Sequence, residues 1–98
     1  MLSSGTIALI KEISLTEAKQ NLDTTNWISA VGHEVTADVL TILLDHKVEF
    51  NRMNLSLSAG DNVICVIPSF RASEAREFTQ DEIKTAEYRC FHITIRKD

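Results

Sequence analysis

The chain is poor in cysteine, has no surplus of positive charge and contains no long apolar run, and each shortage argues against a class of protein. Its two cysteines, Cys65 and Cys90, lie far apart within apolar, strand-like stretches, which suits reduced core thiols better than a disulfide scaffold or a CxxC metal site. Ten Lys and Arg against 14 Asp and Glu leave a formal net charge of −4. That is the wrong sign for a general DNA binder, whose footprint is a basic face, but it is compatible with a small anion held in a local basic pocket. No segment approaches the roughly 20 apolar residues that span a bilayer. The first residues, Met1-Leu2-Ser3-Ser4-Gly5, lack the charged start and apolar stretch of a secretion signal. A cytoplasmic protein without membrane contact is the expectation. No GxGxxG, no P-loop and no spacing suggestive of a Ser-His-Asp or Cys-His arrangement is present, and neither a cofactor nor a metal is expected.

What is there fits one domain. Ninety-eight residues, 44% hydrophobic and 24% charged, are enough for one core and leave no room for a second. Thr6 to Ile10 reads as a short strand, and Ser14-Leu15-Thr16-Glu17 is a capping box that opens a helix to about Leu22. Trp27 to Val31 reads as a second short strand. Val35, Val39, Leu40, Leu43 and Leu44 then recur at helical spacing and predict a helix from about Glu34 to Leu44. Met53, Leu55 and Leu57 alternate with polar residues as in a half-buried strand, and Ala59 to Asn62 reads as a hairpin turn. The apolar run Val63 to Ile67 predicts a central strand buried on both faces and ended by Pro68. After a polar loop from Ser69 to Phe78, Thr79 to Glu82 forms a second capping box, for a helix to about Ala86. Phe91, Ile93 and Ile95 alternate inward along a last strand. The order predicts a small α/β domain, residues 1–98, with short helices against a mixed sheet.

The stretch Ile28 to Ala37 carries the most chemistry. It runs from an apolar strand through Gly32 into a helix start, with the imidazole of His33 at the junction. Backbone N–H groups of a first helical turn have no intrahelical partner and favour negative charge, so Gly32 to Thr36 reads as a phosphate-sized cradle beside a proton donor. The plain alternative is a histidine that serves only as a polar residue at a helix entrance. His33-Glu34-Val35-Thr36-Ala37 begins like the zinc-protease HExxH motif, but Ala37 stands where the second imidazole is required, so the metal reading fails. His46, just past a helix end, suits a dipole contact, and His92 points outward from a strand. Arg71 and Arg76 flank Glu74 in the loop after the apolar run, where α/β domains often place ligand contacts; their planar guanidinium groups suit phosphate. The alternative there is a solvated loop with a weak ion pair. Arg52 adds a third cation or simply blunts a sheet edge.

Taken together, Ile28-Ser29-Ala30-Val31-Gly32-His33-Glu34, then Thr36-Ala37, Val48 to Arg52, Ala59-Gly60-Asp61, Arg71-x-x-Glu74 and Thr79 resemble the viral ring nucleases that act as type III anti-CRISPR proteins. The resemblance covers about Ile13 to Ile95. It implies a small homodimer that binds cyclic tetra-adenylate across its interface and cuts it, without a metal, to linear di-adenylate. It also implies roles. His33, Arg71 and Glu74 would be catalytic, and Gly32, Thr36, Arg52 and Arg71 would hold the ligand. Relatives usually carry a further strand and loop ahead of the segment matching Gly5-Thr6, and often a hydroxyl residue where this chain has Val35. In the implied mechanism a ribose 2′-hydroxyl attacks its own phosphate, His33 protonates the departing 5′-oxygen, and Arg71 holds the phosphate while Glu74 orients the hydroxyl or the arginine. A protein that sequesters the cyclic nucleotide without cutting it is the alternative.

Overall fold

The computed structural model describes residues 5–71 and 78–97. Six elements follow one another: β1 (Thr6–Ile13), α1 (Leu15–Thr24), α2 (Glu34–Leu44), β2 (Asn62–Pro68), α3 (Gln80–Thr85) and β3 (Tyr88–Lys97). The three strands form one sheet in the order β1-β3-β2, with both pairings antiparallel. The helices and sheet make the small α/β domain that the hydrophobic pattern predicts.

The helix starts follow from their caps. Ser14 Oγ accepts the Glu17 N–H at 3.1 Å and opens α1. At the start of α3, Thr79 accepts the Glu82 N–H at 3.2 Å while the Glu82 carboxylate accepts the Thr79 N–H at 3.1 Å, closing a reciprocal box. α2 ends on Asp45, whose φ of 55° is the left-handed conformation of a helix stop. Thr41 then turns the chain back: its hydroxyl donates to Ala37 O at 2.8 Å and accepts the Val48 N–H at 2.9 Å.

α2 is the hub of the core because it is apolar on two sides. Ala37, Leu40, Leu43 and Leu44 pack with Ile13, Ala18, Leu22, Val48 and Cys90, between α1 and one face of the sheet. Val39 faces the other way and packs on Ile83 of α3, with Val35, Ile42, Phe70 and Phe78 around them. Burying one such side chain stabilises the fold by about 1.5–3 kcal/mol. The far end is closed by His46, whose Nε2 lies 2.7 Å from Asp23 Oδ1 and whose ring meets Trp27 edge-on.

Four expectations change. The apolar run Val63 to Ile67 does not make the central strand; β2 is an edge strand, with Ile67 50% exposed, and β3 sits between the other two. Pro68 explains part of this, since a residue without an N–H is tolerated at an edge and not within a ladder bonded on both sides. Phe91, Ile93 and Ile95 lie on the sheet face opposite the one that carries Cys90 and Tyr88 against the helices; Ile95, 1% exposed, is nevertheless buried there as expected. Trp27 to Ala30 and Met53 to Ser56 are irregular rather than stranded, and Val31 and Leu57 make single bridges only. Both strand pairings of the sheet are antiparallel, and a parallel pairing is seen in the bridge between Val31 and Phe50. There the side chains of Ser29 and Asn51 take up backbone groups that a ladder would have used.

Candidate functional site

Residues 29–31 and 49–51 run side by side and are tied by three hydrogen bonds, with a fourth inside the first segment. The Asn51 N–H donates to Val31 O at 2.8 Å, and Asn51 Nδ2 donates to Ser29 O at 2.6 Å. Ser29 Oγ donates to Glu49 O at 2.7 Å and accepts the Val31 N–H at 3.2 Å. The residues that leave this pairing are Gly32 on one segment and Arg52 on the other. The Arg52 side chain packs beside Gly32, with Nε, Cβ and Cγ 3.8–3.9 Å from the place a Cβ on Gly32 would occupy. A Cβ there would meet Arg52 only at ordinary van der Waals distance, and Gly32 has no left-handed backbone, so neither packing nor conformation demands glycine at this point.

The next residue, His33, is the N-cap of α2. Its backbone is extended, with φ −134° and ψ 129°, and its side chain makes no capping bond. Intrahelical bonding begins with the Ala37 N–H donating to His33 O at 3.0 Å. The N–H groups of Glu34, Val35 and Thr36 thus precede the first intrahelical donor, at the positive end of the helix dipole. His33 is exposed and Thr36, one turn on, is half-buried. Glu34 places a carboxylate in the same turn, so an anion bound here competes with it.

Arg71 is exposed and follows β2 by three residues. Its neighbour Phe70 packs on the Val39–Ile83 pair, as does Val35 in the first turn of α2, and the Ser69 N–H is held by Glu87 O at 3.0 Å. Packing thus ties the start of the arginine loop to the side of α2. Glu74 and Arg76 lie outside the described residues. Among the residues expected at a site, the structure brings Gly32, His33, Thr36 and Arg52 to one place.

The remaining candidates separate cleanly. Ala37, at the position a second zinc-binding imidazole would need, is 3% exposed in the core, and the described residues contain no group of three His, Cys, Asp or Glu placed to hold a metal. His46 is engaged by Asp23. His92 Nε2 lies 2.9 Å from Asn62 Oδ1, which also accepts from the Thr94 hydroxyl at 3.3 Å. Ser29 and Asn51, which build the site's frame, were not singled out from the sequence. Each is one polar residue beside apolar ones, and only the pairing of segments some 20 residues apart reveals its use.

Residues 1–90 match the model of the STIV B116-like family, a span that contains every residue of the candidate site. The chain belongs to the STIV B116-like family. Over 79 residues it is 37% identical to uncharacterized protein 26 of Sulfolobus islandicus filamentous virus (isolate Iceland/Hveragerdi), covering 80% of this chain and 67% of that one. It is 29% identical over 87 residues to uncharacterized protein ORF117 of Acidianus two-tailed virus, covering 86% of this chain and 74% of the relative. This STIV B116-like chain is therefore a small viral protein, and no helix among its described residues is long and apolar enough to cross a membrane.

Proposed function

We propose that this STIV B116-like protein is a metal-independent ring nuclease that cleaves cyclic tetra-adenylate to linear di-adenylate, erasing a type III CRISPR signal in the host cytoplasm. The observation that carries the reading is that His33 stands at the uncapped start of α2, directly after Gly32, beside which the Arg52 side chain packs. Backbone donors and a guanidinium bind phosphate oxygens, and an imidazole beside them supplies a proton.

The chemistry needs no more than these groups and the substrate's own nucleophile. The ribose 2′-hydroxyl attacks the adjacent phosphorus, and the bond from phosphorus to the 5′-oxygen breaks. His33 gives its proton to that oxygen, while Arg71 and the first-turn N–H groups of α2 stabilise charge on the phosphoryl oxygens. Arg52 holds the neighbouring part of the ring. Glu74 orients the hydroxyl or Arg71, a role taken from the resemblance to ring nucleases. The products carry a 2′,3′-cyclic phosphate and a 5′-hydroxyl. A homodimer completes the proposal, since a two-fold axis presents two copies of His33 and Arg71 to a symmetric ring.

The test is incubation of the pure protein with labelled cyclic tri-, tetra- and hexa-adenylate in EDTA, with products separated by chromatography and the protein's mass read by light scattering. Conversion of the tetra-adenylate ring to di-adenylate by a dimer is expected. Activity lost to chelation and restored by a divalent ion would overturn the proton-transfer mechanism. One observation favours a second reading, a binder that sequesters the ring: among the described residues no hydrogen bond holds the His33 ring in a catalytic orientation. Tight binding with intact ligand recovered would establish that reading instead.

A further inference from the structure

We propose that Asn51 is a positioning residue for Arg52, resting on the reading of Gly32 to Thr36 as an anion site. Asn51 stands immediately before Arg52 and links to the opposite segment twice, through its backbone N–H to Val31 O at 2.8 Å and through Nδ2 to Ser29 O at 2.6 Å. Nδ2 also lies 3.6 Å from Met53 Sδ. Asn51 thereby fixes the backbone just before Arg52, and Ser29 adds a further link between the segments by donating to Glu49 O. An exposed arginine on an untethered loop samples many rotamers, and ordering them costs binding free energy. Here the tether holds Arg52 beside Gly32, the residue before the N-cap of α2, before any ligand arrives.

The two functions of Asn51 separate by design. Asn51→Ala keeps the backbone bond to Val31, so the bridge between Val31 and Phe50 survives, but it removes the amide link to Ser29. Asn51→Asp keeps the size and loses the donor, and should behave like the alanine variant. Ser29→Ala loosens the same link from the other side and should act in the same direction.

The experiment is a double-mutant cycle on cyclic tetra-adenylate binding, combined with NMR of the Arg52 Nε–Hε resonance in the ligand-free protein. Asn51→Ala is expected to weaken binding about three- to tenfold, the size of one lost hydrogen bond, with kcat changed by less than about twofold because the proton donor is intact. The same change in an Arg52→Ala background should have no further effect. The Arg52 Nε resonance should move to the position of a disordered arginine in Asn51→Ala and in Asn51→Asp. An undiminished Asn51 effect in the Arg52→Ala background, or an Arg52 resonance that stays ordered in a folded Asn51 variant, would overturn the proposal. If the parent binds no cyclic tetra-adenylate, the ring-nuclease reading falls, and the ligand-free resonance still decides whether Asn51 positions Arg52.

Discussion

The two ends of α2 are built for different purposes. At its C-terminal end Leu43 and Leu44 are 3% and 4% exposed, Asp45 stops the helix in the left-handed conformation, Thr41 ties it to Val48, and His46 is locked to Asp23. At its N-terminal end the cap residue offers no acceptor to the first turn, the imidazole is exposed, and a guanidinium lies alongside. α3 shows that this chain is able to close a helix start, since Thr79 and Glu82 satisfy each other's backbone groups there. Leaving the start of α2 open forgoes that stabilisation and keeps its donors available. One end holds the domain together, and the other leaves its first-turn donors open, as the proposed anion site requires.

The largest expected effect tests the open end. His33→Ala should lower turnover of cyclic tetra-adenylate by about 10²–10⁴-fold, the usual worth of a positioned acid, while the unfolding free energy stays within about 0.5 kcal/mol of the parent. Single-turnover kinetics beside urea denaturation measure both, and a drop in stability of the same order as the drop in rate would erase the contrast between the ends. At the closed end, Leu43→Ala should destabilise the fold by about 2–5 kcal/mol through lost burial and a residual cavity. A loss below about 1 kcal/mol in the same denaturation assay would show that the C-terminal end is not the anchor the packing indicates.

A smaller effect sharpens the comparison between helix starts. Thr79→Ala should cost about 1 kcal/mol by opening α3, whereas His33→Ser should stabilise by a similar or smaller amount by supplying the acceptor that α2 lacks. Turnover should nevertheless collapse in His33→Ser as in His33→Ala. A serine variant that gains no stability would mean that the first-turn donors are already satisfied in the folded protein.

The smallest effect concerns Cys90, 2% exposed beneath the helices. Burial, and after it the neighbouring Cys65 and Glu12, raise its thiol above the ordinary value of 9.0, so the folded chain holds that proton more tightly than the unfolded one. Its contribution to stability is complete below the ordinary thiol range and declines as pH rises from there through the raised value. Unfolding free energies of the parent should fall more steeply with pH above that range than those of Cys90→Ala. Parallel slopes would remove Cys90 from the alkaline response. Half-buried Cys65 should also react with a thiol reagent sooner than Cys90.

Much of this was legible in residue order. The predicted helix from Glu34 to Leu44 matches the observed one residue for residue; Ser14 and Thr79 both cap helices where expected, but only Thr79 closes the full reciprocal box, Ser14 supplying its Oγ to the Glu17 N–H alone. The strands were less legible. Val63 to Ile67 looks like a central strand because an apolar run reads the same whether its neighbours lie on both sides or on one, and Met53 to Leu57 alternates correctly without forming a strand.

By itself the sequence determined the features that depend on residues within one helical turn. Caps, helix lengths and the nearness of Gly32, His33 and Thr36 follow from bonds between positions three or four apart, which any compact arrangement of this chain must respect. Only the tertiary structure decided which strand is central, which sheet face the helices cover and that Arg52 lies on Gly32. Those outcomes depend on pairings between distant segments, in which a shift of one residue or a rival hydrogen bond from Ser29 or Asn51 changes the answer without changing the local pattern.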